Sequence, residues 1–411
     1  MSFLVIKKKS IISFLFFISY LFCILSDIFY FQFAGSSISY FFILHLPVLL
    51  LLFFLYPKVL TNNIFVVWYL WFFVVIVFSV LGAFLYSNIG LLAQMYIYIF
   101  MPIIFFYFGY LVSFRFLFWI NGFFISVCFF FSVGQFLFFN YGLGGPLGLF
   151  EFLTLLINKS QIGLGVEEIG ARATGFFVNP NILGFFSGLS FFFFLITKKY
   201  LKEQSILSII FIFLSLLCVM LSISRTSIIG LFIGYSVILF HSFKQGNKIE
   251  SLKGLLGSFF ALSFSVFLML KFSSDYYLER TVEIRNVANQ GAEGSGNLSG
   301  RLNAWINLID YVTLNPFGTI VPPQLALDES PDSQFIYFLT QGGIIFLIVF
   351  LILLLSILFI FKKTKSEYFL AVFIFVLISC LTFVSFNSFV ISLFWLMIGL
   401  CFKMKDSRCL I

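Results

Sequence analysis

A chain of 411 residues that is 62% hydrophobic and 10% charged, with mean hydropathy +1.12, is excluded from the water-soluble globular class. Its apolar runs are about 20 residues long, the length of spanning helices, and this excludes a β-barrel built on alternating strands of about 10. The net charge of +8 does not indicate nucleic acid, because most of the positive charge sits in short loops between apolar runs.

The expected fold class is therefore all-α: a polytopic integral membrane protein, 1–411 as one membrane domain, with about 12 transmembrane helices and a long, partly helical outer loop. In chain order the spans fall at 11–31, 38–56, 64–86, 90–112, 116–139, 176–197, 205–222, 226–243, 252–271, 334–361, 368–386 and 388–403. Lys7, Lys8 and Lys9 precede an apolar run too long for a signal peptide, with no small-residue cleavage site after it, so this run is read as a first span that stays. Alternating the connections places both termini on one side. That side holds 17 of the 24 basic residues and 4 of the 16 acids, a balance of +13 against −5 on the other side. The bias of Lys and Arg toward cytoplasmic loops makes both termini cytoplasmic.

Two outer segments break the economy of short turns: a first long loop at 140–175 and a large loop at 272–333. Long loops in compact proteins are usually functional or disordered. In the second, Tyr276 to Val287 has helical character and a Gly-rich hinge follows, with Gly291, Gly294, Gly296 and Gly300. Arg301 then opens a helix in which Trp305, Leu308, Ile309 and Val312 share one face, and Asn315-Pro316-Phe317-Gly318 ends it as a turn. The Gly-rich segment follows no strand and carries no phosphate-loop lysine, so it reads as a hinge.

Polar groups within or near spans, Asp27, His45, Gln94 and Gln135, serve either helix packing or a substrate path. His241, beside lysines, reads as a solvated loop residue. Gly184 with Gly188, and Gly230 with Gly234, are spaced for close helix packing. The 67 phenylalanines are attributed to compositional bias, and the six cysteines to apolar packing. Two histidines, neither of them outside, and the lack of ligand spacing among the outer acids give no metal site, and no cofactor is expected.

Arg172, Arg225, Arg280, Arg285 and Arg301 lie on the side that the charge bias disfavours. One reading is plain: Arg225 snorkels to headgroups while Arg172, Arg280 and Arg285 pair with nearby acids. The other is chemical. The guanidinium fork gives phosphate two parallel charge-assisted bonds and never loses its charge. Helix starts near Asn181, Thr226 and Arg301 would add amide donors and positive dipole ends. An anion held at the membrane surface points to a lipid-linked phosphate or pyrophosphate, with Asp310, Asp328, Glu329 or Asp332 as general base for an incoming hydroxyl.

Three stretches carry a resemblance to a known family. They are Arg172-Ala173-Thr174-Gly175-Phe176-Phe177-Val178-Asn179-Pro180-Asn181, then Ser222-Ile223-Ser224-Arg225-Thr226-Ser227, then Ser299-Gly300-Arg301 with Trp305. The third continues to Asn315-Pro316-Phe317-Gly318, Asp332-Ser333-Gln334-Phe335 and Gly342-Gly343. In order, over 172–343, they resemble the bacterial O-antigen and capsule polymerases and the O-antigen ligases. The resemblance implies transfer of a glycan from undecaprenyl pyrophosphate to a sugar hydroxyl of another lipid-linked repeat unit, at the outer face of the bacterial inner membrane. It implies that Arg172, Arg225 and Arg301 hold the pyrophosphate leaving group, with Asp332 as the base. Asn179, Asn181, Arg280, Arg285, Trp305 and Asp310 are then expected to contact substrate. Membrane lipid and a polysaccharide chain-length regulator are the further partners implied. Ligases of this kind are expected to use a histidine in the large outer loop, where this chain has none. That departure favours polymerase over ligase. A flippase of the same lipid-linked units is the rival from another class, although the chain shows no pair of similar halves.

Overall fold

The computed structural model describes residues 2–24, 30–33, 36–39, 45, 47–52, 65–141, 172–177, 179–201, 205–246, 286, 289–290, 296–328, 331–364 and 366–408. Helix α1 (Ser2–Ile24) is followed by a short antiparallel hairpin, β1 (Tyr30–Phe33) and β2 (Ser36–Ser39), with Tyr30 opposite Ser39. Next come α2 (Phe65–Leu85), an irregular helical stretch at Ile89–Phe100 that leads into α3 (Met101–Leu111), and α4 (Phe114–Tyr141). The second half holds α5 (Pro180–Tyr200), α6 (Ser205–Ser222), α7 (Arg225–Lys244), α8 (Gly296–Leu314), the short α9 (Pro323–Ala326), α10 (Gln334–Lys363), α11 (Glu367–Thr382) and α12 (Ser392–Arg408).

Among the described residues five helices are long and apolar enough to cross a membrane: Val66–Leu85, Phe114–Phe136, Pro180–Tyr200, Arg225–Lys244 and Gln334–Lys363. Shorter apolar helices accompany them, and the chain is an all-α polytopic integral membrane protein. The span expected at 205–222 coincides with α6. The one expected at 11–31 does not hold to its end, since α1 stops at Ile24 and Tyr30–Phe33 is a strand. The expected span 252–271, most of 38–56 and most of the loop 140–175 lie outside the described residues.

Helix α5 is the centre of the bundle. Its spanning window is 83% buried, against 28–44% for the other four. The Phe191–Phe194 run on it faces protein, with Phe192, Phe193 and Phe194 fully covered. Hydrophobicity does not drive helix against helix inside lipid, so interdigitation has to supply the association. Ring contacts such as Phe185 stacked on Phe375 at 5.7 Å and Phe194 against Phe211 at 5.0 Å supply it here. Close backbone approach supplies the rest. A Cβ on Gly109 of α3 would lie 2.0 Å from the Leu396 carbonyl oxygen of α12, and one on Gly399 of α12 would lie 2.0 Å from that of Phe106.

Two irregularities have identifiable causes. Pro102 has no N–H to give the carbonyl of Tyr98 four residues back, and the helix widens to a π turn over Tyr96–Phe100. The Trp71 indole donates to that carbonyl oxygen at 3.0 Å, so it is not orphaned. The second irregularity is in α10, which has 30 residues and is about 45 Å long if straight, whereas α11 has 16 and is about 24 Å. Three residues, 364–366, separate the end of α10 from the start of α11, yet the Ser333 hydroxyl donates to the Cys380 carbonyl at 3.3 Å, near the far end of α11. A break at Gly342 (φ −130°, ψ 17°) and Gly343 (φ 63°, ψ −162°) folds the first turns of α10 back and permits this. The carbonyls that the break frees are reused: Thr319 N–H donates to Thr340 O at 2.8 Å and Ile320 N–H to Gln341 O at 2.7 Å. The turn after α8 is thus plugged into the break so tightly that a Cβ on Gly343 would sit 1.8 Å from the Pro316 carbonyl oxygen.

Candidate functional site at the arginine-bearing end of the bundle

Helices α5, α7 and α10 begin at one end of the bundle, where α6 and α11 finish. The α6–α7 turn is clasped from two sides. Ala173 N–H donates to Leu221 O at 3.0 Å, and the start of α5 packs on the turn so closely that a Cβ on Gly184 would lie 2.7 Å from Ser224 Cβ. Asn179 caps α5, its side chain accepting from Asn181 N–H at 2.8 Å, with Pro180 in the first turn. Ser224 caps α7. Between Ser222 and Ser224, Ile223 is held at φ 51°, a left-handed conformation that a β-branched side chain resists. This strained residue aims the Ser222 carbonyl, and nothing in the sequence pattern marked it.

Arg172 occupies that clasp. Its Nε donates to Ser222 O at 3.1 Å and its terminal nitrogen to Asn181 Oδ1 at 3.0 Å, which fixes the plane of the fork. Arg225 is the first residue of α7 and is exposed. Its neighbour Thr226 is hydrogen-bonded to Thr382 at the end of α11, and Cys380 of α11 receives Ser333, so Asp332 belongs to the same end of the bundle. Asp332 in turn pairs with Arg301 of α8, Nε to Oδ2 at 2.7 Å. Both side chains of that pair are about two-fifths exposed, at 39% and 43%, so it is open to an incoming anion. An exposed pair of this kind is worth about 0–1 kcal/mol, so a multiply charged phosphate can displace the carboxylate.

Helix α8 differs from expectation in two respects. It starts at Gly296, so Gly296 and Gly300 are helical and Arg301 lies in the second turn with no helix start beside it. Leu308 and Val312 are buried as expected, but Ile309 is 41% exposed and faces away. Trp305 lies one turn from Arg301 on the same face. Asp310 is nine residues beyond Arg301, about 180° around the helix, so the fold separates these two. Arg280 and Arg285 lie outside the described residues.

The polar groups in the spans have partners of their own. Gln94 accepts from Gln341 at 2.6 Å, His45 bonds the Tyr96 hydroxyl, and Gln135 of α4 holds the 174–175 backbone. Asp27 is outside the described residues. His241, expected in a loop, sits in the last turn of α7, 3.9 Å from Glu367 at the opposite end of the bundle.

Helix poles of both signs meet at this end, and Arg172 donates to the last carbonyl of α6. The start of a helix already carries about half a positive charge from its aligned peptide dipoles. Arg225 stands at the start of α7, and Arg172 reaches the start of α5. Helix starts of this kind favour an anion.

Residues 210–351, which contain Arg225, Arg301 and Asp332, match a family model described as O-antigen ligase. No curated protein matches the chain.

Proposed function

We propose, on the premise that this chain is a member of the O-antigen polymerase/ligase superfamily, that it polymerises oligosaccharide repeat units carried on undecaprenyl pyrophosphate. The observation that carries this reading is the set of arginines held at the positive ends of α5 and α7, beside an exposed Arg301–Asp332 pair. The side holding most of the lysines is cytoplasmic, both termini with it, so the arginine end faces outward from the bacterial inner membrane.

In the reaction, Arg172 and Arg225 hold the pyrophosphate at the lipid boundary. Arg301 exchanges Asp332 for a phosphate oxygen, which releases the carboxylate. The acceptor sugar hydroxyl attacks the anomeric carbon, and its proton passes to Asp332. The bond from that carbon to the phosphate oxygen breaks, and undecaprenyl pyrophosphate leaves. Fixed donors placed where the leaving charge develops are worth about a hundredfold or more each in rate. Arg280 and Arg285, in the outer loop 272–333, are assigned to the glycan, as are Trp305 and Asp310. A chain-length regulator is the protein partner consistent with this role.

Ligation is the second reading, and the description of the matched family favours it. Against it, both histidines of the chain, His45 and His241, lie outside the 272–333 loop. The test is the surface glycan of a strain lacking this chain. Single repeat units exported and capped onto the acceptor support polymerisation. Full-length chains stranded on the lipid carrier make it a ligase, and single units trapped on the inner leaflet make it a flippase. At residue level, Arg301→Lys is expected to lose nearly as much chain extension as Arg301→Ala, because an ammonium cannot reproduce the fork. Near-parental chain lengths with Lys reduce Arg301 to a point charge. Parental extension by an inserted Asp332→Asn protein removes Asp332 as the base.

A further inference from the structure

The segment 172–177 has no regular structure, yet it carries Arg172 into the bundle end, and its backbone polar groups need partners there. A single side chain provides three of them. Gln135, in the outer half of α4 and 5% exposed, accepts from Thr174 N–H at 2.9 Å and from Gly175 N–H at 2.8 Å through its carbonyl oxygen. Its amide nitrogen donates to Gly175 O at 2.8 Å and to the Thr174 hydroxyl at 3.2 Å. Both donors and both acceptor directions of the carboxamide are therefore directed at two consecutive residues. The turn they stabilise has Gly175 at φ 63° and stands on Ser132 and Leu183, so it has little room to shift. Two residues earlier in the chain, Arg172 is oriented against Ser222 and Asn181.

We infer that Gln135 is a positioning residue for Arg172: its clamp on Thr174 and Gly175 sets where the guanidinium meets the pyrophosphate. This rests on the reading of Arg172 as an anion-holding residue. Gln135 itself touches no substrate atom. A misplacement of about 1 Å in a group that must meet a developing charge costs about a hundredfold in rate, so a clamp of this kind has functional weight beyond its bonds. A carboxamide that only satisfies the backbone would instead affect stability alone.

The experiment is a double-mutant cycle on the purified full chain in lipid nanodiscs, with lipid-linked repeat units as substrate and chain extension and thermal unfolding both measured. Gln135→Leu is expected to lower kcat/KM about tenfold or more in the parental protein. In an Arg172→Lys background the same change is expected to cost less than about twofold, because the fork it positions is gone. The loss of thermal midpoint is expected to be equal in both backgrounds. Thr174→Val, which removes the hydroxyl's bonds to Gln135 and keeps those to the backbone, should show the same pattern in weaker form and serves if Gln135→Leu does not fold. Gln135→Glu keeps the two acceptor bonds and should restore part of the rate. Equal fold-losses in both backgrounds, or a parental rate in an inserted Gln135→Leu protein, overturn the inference while leaving Arg172 in place. A parental rate for Arg172→Lys and Arg172→Ala overturns the reading of Arg172 and the inference with it.

Discussion

Both ends of the helix bundle hold cations, and for different reasons. At the lysine end, Lys198 and Lys199 close α5, His241 and Lys244 close α7, and Lys362 and Lys363 close α10. Each stands at the negative pole of its helix, where a cation gains about 0.3–1 kcal/mol, and Glu367 stands at the positive pole of α11. Glu367 also bonds Lys199 at 2.7 Å, and Lys403 donates to the Val112 carbonyl at 2.6 Å. Charge there is locally satisfied by helix poles, a backbone carbonyl and Glu367. At the arginine end the poles are mixed: Arg225 stands at the positive pole of α7, while Arg172 bridges the start of α5 and the last carbonyl of α6. Lysine is used where a charge is needed, and arginine where a directed pair of donors is needed.

That contrast can be broken by substitution. The largest effect is expected from Arg225→Ala, which should reduce chain extension about a hundredfold with little change in thermal midpoint. A comparable loss in Arg225→Lys would establish that the fork matters, whereas a rate within about twofold of parental for Arg225→Ala would make the two ends equivalent. Gly343→Ala ranks second and acts on stability. Its Cβ would meet the Pro316 carbonyl oxygen at 1.8 Å in a backbone region that alanine avoids, and a loss of roughly 2–3 kcal/mol is expected in detergent unfolding. The smallest effect is expected from Lys199→Gln at the other end. This ion pair is partly exposed, so unfolding should shift by no more than about 1 kcal/mol and extension by less than about twofold.

The spans were legible because lipid forces continuous apolar runs and a period that no loop imitates, and α6 falls on its expected limits. What the sequence concealed were features decided by tertiary partners. Gly296 and Gly300 suppress any expectation of helix, yet α8 runs through them, anchored further on by Leu308 and Val312 and by the Arg301–Asp332 pair. The hairpin at Tyr30–Phe33 hides in a Phe-rich run that reads equally well as helix. At the site, residue chemistry offered five outer arginines and four acids, and the resemblance narrowed them to Arg172, Arg225, Arg301 and Asp332. It was silent on the strained Ile223, and it could not decide between packing and transport for Gln135, because the answer lies 39 residues away at Thr174. Only one signal was available for that pairing: a carboxamide near the end of an apolar run needs a polar partner.

The plug in the Gly342–Gly343 break bears on how such a protein diversifies. The segment between Thr319 and Thr340 starts and ends at one place, where one hydrogen bond of 2.8 Å joins the two residues. An excursion whose ends coincide is topologically a handle. Its length is nearly neutral, since each doubling of a loop costs only about 0.6 kcal/mol in closure entropy. Between Pro322 and Pro331 the handle can therefore be rewritten, lengthened or exchanged with a homologous one while the helices beneath keep their register. Change can accumulate there without refolding the membrane domain.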